Sequence, residues 1–182
     1  MSEKNEDTPG KPTRVWVVED NKTIRKIVAH VLTGQEDMVC AHQFGSCEDA
    51  IEALFAGERP DVILCNIVLS GMSGIEGIRR IKTALPEIFI LVFSSWAADS
   101  EEVVSAICAG ASGYIPKTSL TNEIPVVIRE MLAGAHLNSQ IARRVLDMFS
   151  ELAPQGWDNG LTEQKKEMLD LMVEGLIISG KK

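Results

Sequence analysis

Two hydrophobic periods alternate along this chain. Arg14 to Glu19 is a short, β-branched apolar run bounded by polar residues, which predicts a buried strand. Ile24, Ile27, Val28, Val31 and Leu32 then recur at helical spacing, and Gly34 stops that face. Met38 to Phe44 reads as a second strand. Ser46 is placed to cap a helix that carries Ala50, Ile51, Leu54 and Phe55 and stops at Gly57. Val62 to Asn66 is a third strand, followed by a Gly-containing loop from Ile67 to Gly74. A helix from Ile75 to Leu85 is stopped by Pro86, and Ile88 to Phe93 is a fourth strand. Glu101 to Ala109 is a helix closed by Gly110, and Gly113 to Pro116 is a short fifth strand. Ile124, Val127, Ile128, Met131 and Leu132 mark a fifth helix, with Pro125 tolerated in its first turn.

Five strands alternating with five helices predict an α/β fold with a parallel sheet covered on both faces. Short right-handed crossovers make it doubly wound, and sites in such sheets lie outside the carboxyl ends of the strands. Glu19 and Asp20, Asn66, Ser94 with Ser95, and Lys117 all fall at or just past such ends. Acids, a central polar residue, a hydroxyl and a lysine on one edge suit phosphoryl transfer. A carboxylate at the centre could form an acyl phosphate. The residue there is instead an amide, Asn66.

Composition narrows the picture. The chain has 182 residues, 45% hydrophobic and 24% charged, enough for one good domain and a smaller remainder. No apolar run approaches the roughly 18 residues needed to span a membrane. The polar stretch Met1 to Lys11 reads as a disordered leader without a signal segment. These features predict a soluble, cytoplasmic chain. A net charge of −8 gives no overall field toward DNA. Cys40, Cys47, Cys65 and Cys108 match no zinc or redox spacing and read as buried free thiols. His30, His42 and His136 are scattered and read as ordinary histidines. The stretch Ser70-Gly71-Met72-Ser73-Gly74 is not a nucleophile elbow, and no Walker A sequence is present.

The ordered set Val17-Val18-Glu19-Asp20-Asn21, Asp61 to Asn66, Gly71-Met72-Ser73-Gly74, Ser94-Ser95 and Gly110 to Lys117 resembles the receiver domain of bacterial two-component response regulators. The resemblance covers about Thr13 to Gly134 and implies a flavodoxin-like, five-stranded parallel sandwich. By that resemblance Glu19 and Asp20 match the acids that hold Mg²⁺. Asn66 matches the aspartate phosphorylated by a histidine kinase, and Val68 the position whose backbone carbonyl completes the metal site. Ser94 and Lys117 match the phosphate-sensing hydroxyl and lysine, and Tyr114 the switch aromatic. Asn66 breaks the first step, because an amide is not a comparable nucleophile. It also removes one negative charge and so weakens the implied Mg²⁺ site. Lys117, short of one partner, is expected to lean on Asp20. Val68-Leu69-Ser70 departs from the family loop, where proline is common at the Ser70 position. These departures imply a pseudo-receiver that is phosphorylation-deficient as written. Asn66 fits either a natural amide or an aspartate-to-asparagine change made to lock one state.

The remainder reads as a helix and linker over 136–160, with Ile141, Val145, Leu146, Met148 and Phe149 as an apolar stripe. Trp157 fits a contact with a neighbouring domain or an anchor for the linker. Leu161 to Leu176, with Thr162 as N-cap, resembles the first helix of a LuxR-type helix-turn-helix. After a receiver, this implies the NarL/FixJ subfamily and transcriptional control. Residues 161–182 therefore read as a partial effector domain after a receiver at 13–135 and a leader at 1–12. Its four lysines balance four acids, and the pattern does not continue into a recognition helix. Specific DNA binding is expected only with a complete effector domain beyond Lys182. The alternative is a truncated pseudo-receiver acting as an adaptor or dominant-negative partner of a paralogue. No enzyme activity is expected on either reading. A homodimer or heterodimer would cover the 141–149 stripe, as would packing on the chain's own receiver.

Overall fold

The computed structural model describes residues 11–98, 100–119 and 122–134. The expected leader at 1–12 lies almost wholly outside these residues, and the expected helix, linker and partial effector domain from 136 onward lie wholly outside them. The elements run β1 (Thr13–Val18), α1 (Lys22–Thr33), β2 (Met38–Phe44), α2 (Cys47–Phe55), β3 (Val62–Cys65), α3 (Gly74–Ala84), β4 (Phe89–Ser94), α4 (Glu101–Cys108), β5 (Gly113–Pro116) and α5 (Glu123–Leu132). All ladders are parallel, in the order β2-β1-β3-β4-β5. This is the expected α/β fold. The strand order reverses between β1 and β3, which places the crevice at their carboxyl ends.

Alternate strand residues feed two layers, as the period of two requires. Trp16, Val18, Ile63, Cys65, Ile90 and Val92 pack under α2, α3 and α4. Val15, Val17, Val62, Leu64, Leu91 and Phe93 pack under α1 and α5. Full burial of each large aliphatic side chain contributes about 1.5–3 kcal/mol. Side-chain caps start four of the helices. Asn21 accepts from Thr23 and Ile24, Ser46 from Asp49, Ser73 from Glu76 and Ser100 from Val103. Arg129 of α5 clamps both carboxylate oxygens of Asp37, at 2.7 and 2.8 Å, and ties α5 to the turn before β2. No helix among the described residues is long and apolar enough to cross a membrane.

The helical faces are narrower than their spacing predicts. Ile27 is 48% exposed and Phe55 80% exposed, although both fall on apolar stripes. Only two of the four cysteines are buried, against the expectation that all are. Cys47 and Cys65 are buried, with their sulfurs 4.0 Å apart, but Cys40 is half-buried and Cys108 exposed. Cys40 lies on the edge strand β2, which has a neighbour on one side only. Cys108 ends α4, whose inward face is Val103, Val104 and Ala106. Burial pushes the Cys40 thiol up to about 11. The Cys47 contact and burial push the Cys65 thiol well up. Iodoacetamide is therefore expected to label Cys108 first, then Cys40, and to reach Cys47 and Cys65 only after unfolding. Timed quenching and peptide mass mapping read that order.

Candidate functional site

The residues expected at the strand ends do meet along one edge. Glu19 and Asp20 leave β1 in succession and diverge, Glu19 buried and Asp20 exposed. Asn66 directly follows β3 and is 5% exposed. Its backbone N–H donates to the Val18 carbonyl at 3.0 Å and so continues the β1–β3 ladder. Ser94 ends β4, fully buried, and Lys117 follows β5 with its N–H donating to the Ser94 carbonyl at 2.8 Å. Sheet register thus carries acids, amide, hydroxyl and lysine to one place.

Of these side chains only Lys117 and Glu19 form an ion pair, and the rest find partners in the adjoining backbone and loops. Asn66 Nδ2 donates to the Val68 carbonyl at 2.5 Å, the one hydrogen bond of that side chain among the described residues. The orientation follows from physics, because a flipped amide would set two carbonyl oxygens against each other at that distance. Glu19 Oε1 accepts from the Asn21 N–H at 3.1 Å. Lys117 Nζ stands 2.5 Å from Glu19 Oε2, in ion-pair contact but off the line of a hydrogen bond. It also lies 5.6 Å from the Phe93 ring centre, within cation–π range. Lys117 therefore leans on Glu19 and not, as expected, on Asp20. Glu19 is the acid that turns inward, and its extra methylene carries the carboxylate to the lysine. Asp20 Oδ2 instead accepts from Ser70 Oγ at 3.1 Å. Burial pushes the Asp20 carboxyl up, but the bond from Ser70 and contacts with Glu19 and the backbone outweigh it, so Asp20 titrates below its usual value.

Three participants were not legible from residue type. Ser70, noted only as a departure from a family loop, holds Asp20. Glu48 of α2 accepts from the Met72 N–H at 2.8 Å and pins the loop between β3 and α3. Trp96 accepts through its carbonyl from the Tyr114 hydroxyl, joining β5 to the segment after β4. Burial pushes the Tyr114 hydroxyl up. Ser70 lies 50 residues from Asp20 in the sequence, so its hydroxyl in a tight loop was the one available signal. The Trp96 carbonyl gives no sequence signal. The loop also depends on Gly74, where a Cβ would come within 2.0 Å of the Asn66 carbonyl oxygen.

Comparison with known proteins agrees with this geometry. Residues 15–129 match the response regulator receiver domain family. The chain is 33% identical to the transcriptional regulatory protein LiaR of Bacillus subtilis, over 89% of this chain and 77% of that protein. It is 30% identical to the DNA-binding transcriptional activator DevR/DosR of Mycobacterium tuberculosis, over 90% of this chain and 75% of that protein. Among solved structures, a LuxR-family two-component response regulator from Aurantimonas sp. SI85-9A1 superposes with a TM-score of 0.66 at 25% identity, covering 77% of this chain and 99% of that one.

Proposed function

We propose, from the premise that the chain belongs to the response-regulator family of two-component signalling, that it controls transcription through a receiver held in one state rather than switched by phosphorylation at residue 66. The observation that carries this reading is the 2.5 Å bond from Asn66 Nδ2 to the Val68 carbonyl. It puts an N–H donor on an oxygen that, by family resemblance, would face a metal ion. Asn66 stands at the phosphoacceptor position without a nucleophilic oxygen. Ser94 and Lys117 keep the phosphate-sensing positions, and Tyr114 keeps the switch-aromatic position with its hydroxyl already tied to Trp96.

Magnesium is a hard cation that takes carboxylate and carbonyl oxygens. Most of the oxygens offered here already meet the chain's own donors, and Glu19 Oε2 meets Lys117 as an ion pair without a hydrogen bond. Val68 holds the Asn66 amide, Glu19 holds Asn21 and Lys117, and one oxygen of Asp20 holds Ser70. Glu19, Asp20 and the Val68 carbonyl would hold Mg²⁺, and the set is weakened by the carboxylate that Asn66 lacks. A histidine kinase, the phosphodonor partner in the family, would find no acceptor carboxylate at residue 66. DNA binding of the kind named for DevR/DosR would belong to the region after residue 134, and dimerisation would bring two such regions together.

Restoring the acid tests the reading. Asn66→Asp frees the Val68 carbonyl and supplies the missing oxygen. Incubated with acetyl phosphate and Mg²⁺, the variant is expected to gain a phosphoryl adduct at residue 66, seen by intact and peptide mass. If the Asp variant stays unmodified while folded, the pocket is not a disabled phosphorylation site and the proposal fails.

A further inference from the structure

A cleft of about 600 Å³ opens between the C-terminal halves of α2 and α3, away from the Asn66 pocket. Leu54 and Phe55 of α2 line it with Ile81 of α3 and Leu85 just after it. Leu54 and Ile81 are buried at its base, whereas Phe55 is 80% exposed, the most exposed large apolar side chain among the described residues. Arg59, Arg79 and Arg80 complete the lining. Six arginines occur among the described residues, so half of them stand around one cleft on a chain of net charge −8.

These cations are held in place with donors to spare. Glu76 accepts from Arg79 Nη1 and from Arg80 Nε, each at 2.7 Å. Arg59 Nη1 donates to the Leu54 and Glu58 carbonyls, each at 2.7 Å. Each guanidinium carries five N–H donors, so every one retains several. One glutamate against three arginines leaves the lining positive, and no carboxylate is among the lining residues. An apolar cavity of this size with a few convergent polar groups has the form of a small-molecule site. Arginine forks on its wall select a planar anion such as a carboxylate over a neutral or cationic head group.

We infer that the α2–α3 cleft binds a small amphipathic anion, its apolar body on Leu54, Phe55, Ile81 and Leu85 and its carboxylate-type head on the arginines. The site would give the receiver a ligand input independent of residue 66.

Isothermal titration of the full chain with sodium decanoate, below its micellar range, tests this. Decanol and decyltrimethylammonium serve as neutral and cationic controls of equal chain length. Saturable binding of one decanoate per chain is expected, with both controls weaker by about tenfold or more, the loss expected for one charge-assisted hydrogen bond. An Arg79→Gln, Arg80→Gln double variant should lose a similar factor, and Phe55→Ser should weaken all three ligands together. Both variants change exposed side chains, and circular dichroism checks that they remain folded. Equal affinity for decanoate and decanol would overturn the inference, as would decanoate binding untouched by the arginine changes. Self-association that Phe55→Ser abolishes, with no decanoate binding, would overturn it in favour of a contact between copies of the chain.

Discussion

Replacing Lys117 with methionine is expected to lower the unfolding free energy by about 3–5 kcal/mol, the loss typical when one partner of a buried ion pair is removed. The pair qualifies as buried. The Glu19 side chain is 2% exposed and that of Lys117 14% exposed. The ammonium is the only cation in contact with the buried Glu19 Oε2 among the described residues. Methionine keeps much of the lysine stem and removes the charge, together with its contact over the Phe93 ring, so packing loss is a minor part of the effect. Combining it with Glu19→Gln removes the stranded carboxylate and should recover part of the loss. Urea denaturation of the two single variants and the double variant measures both changes, with an unchanged slope confirming that stability alone has moved. Equal stability of the Lys117→Met variant and the unaltered chain would show that water, not Lys117, compensates Glu19.

Gly74→Ala is expected to cost about 3 kcal/mol, at the upper end for overpacking. Gly74 is the first residue of α3, where alanine would otherwise favour the helix by about 1 kcal/mol. The clash wins because its partners are backbone. The new Cβ would lie 2.0 Å from the Asn66 carbonyl oxygen and 2.9 Å from the Ile67 Cα. Neither atom can rotate away as a side-chain tip could. Either α3 moves off the end of β3, or the Asn66 segment moves and the amide loses its bond to Val68. A thermal melt reads the first consequence, and the amide chemical shifts of Asn66 to Ser70 read the second. A variant as stable as the parent with unmoved shifts would show that the close approach of helix and strand end is not required.

Both predictions rest on contacts that the sequence displays unevenly. The sheet was legible because its strands are short apolar runs separated by helical spacing and by Gly or Pro stops. Met38–Phe44 and Gly113–Pro116 match their expected bounds, and the others differ by a residue or so at the ends. The edge carrying Glu19, Asn66, Ser94 and Lys117 followed from strand direction alone. Pairing within the edge did not. Whether Glu19 or Asp20 turns toward Lys117 depends on which one leaves β1 facing inward, a choice made by local geometry past the last ladder bond. Ile27 and Phe55 show the same limit in helices. Spacing places a residue on a stripe, but the width of the contact with the sheet decides whether the stripe's margin is covered.

Asn66 is central to the functional account because the rest of the edge retains the residue types of a phosphorylation pocket. Its amide is also not idle. It engages the Val68 carbonyl at 2.5 Å while Lys117 neutralises Glu19 as an ion pair. The receiver is thereby proposed to hold one arrangement without a phosphoryl group or a metal ion.

The most direct measurement is the intact mass of the unaltered chain after incubation with acetyl phosphate and Mg²⁺. An unmodified mass is expected under conditions that modify the Asn66→Asp variant. A phosphoryl adduct mapped to Asn66 would contradict it.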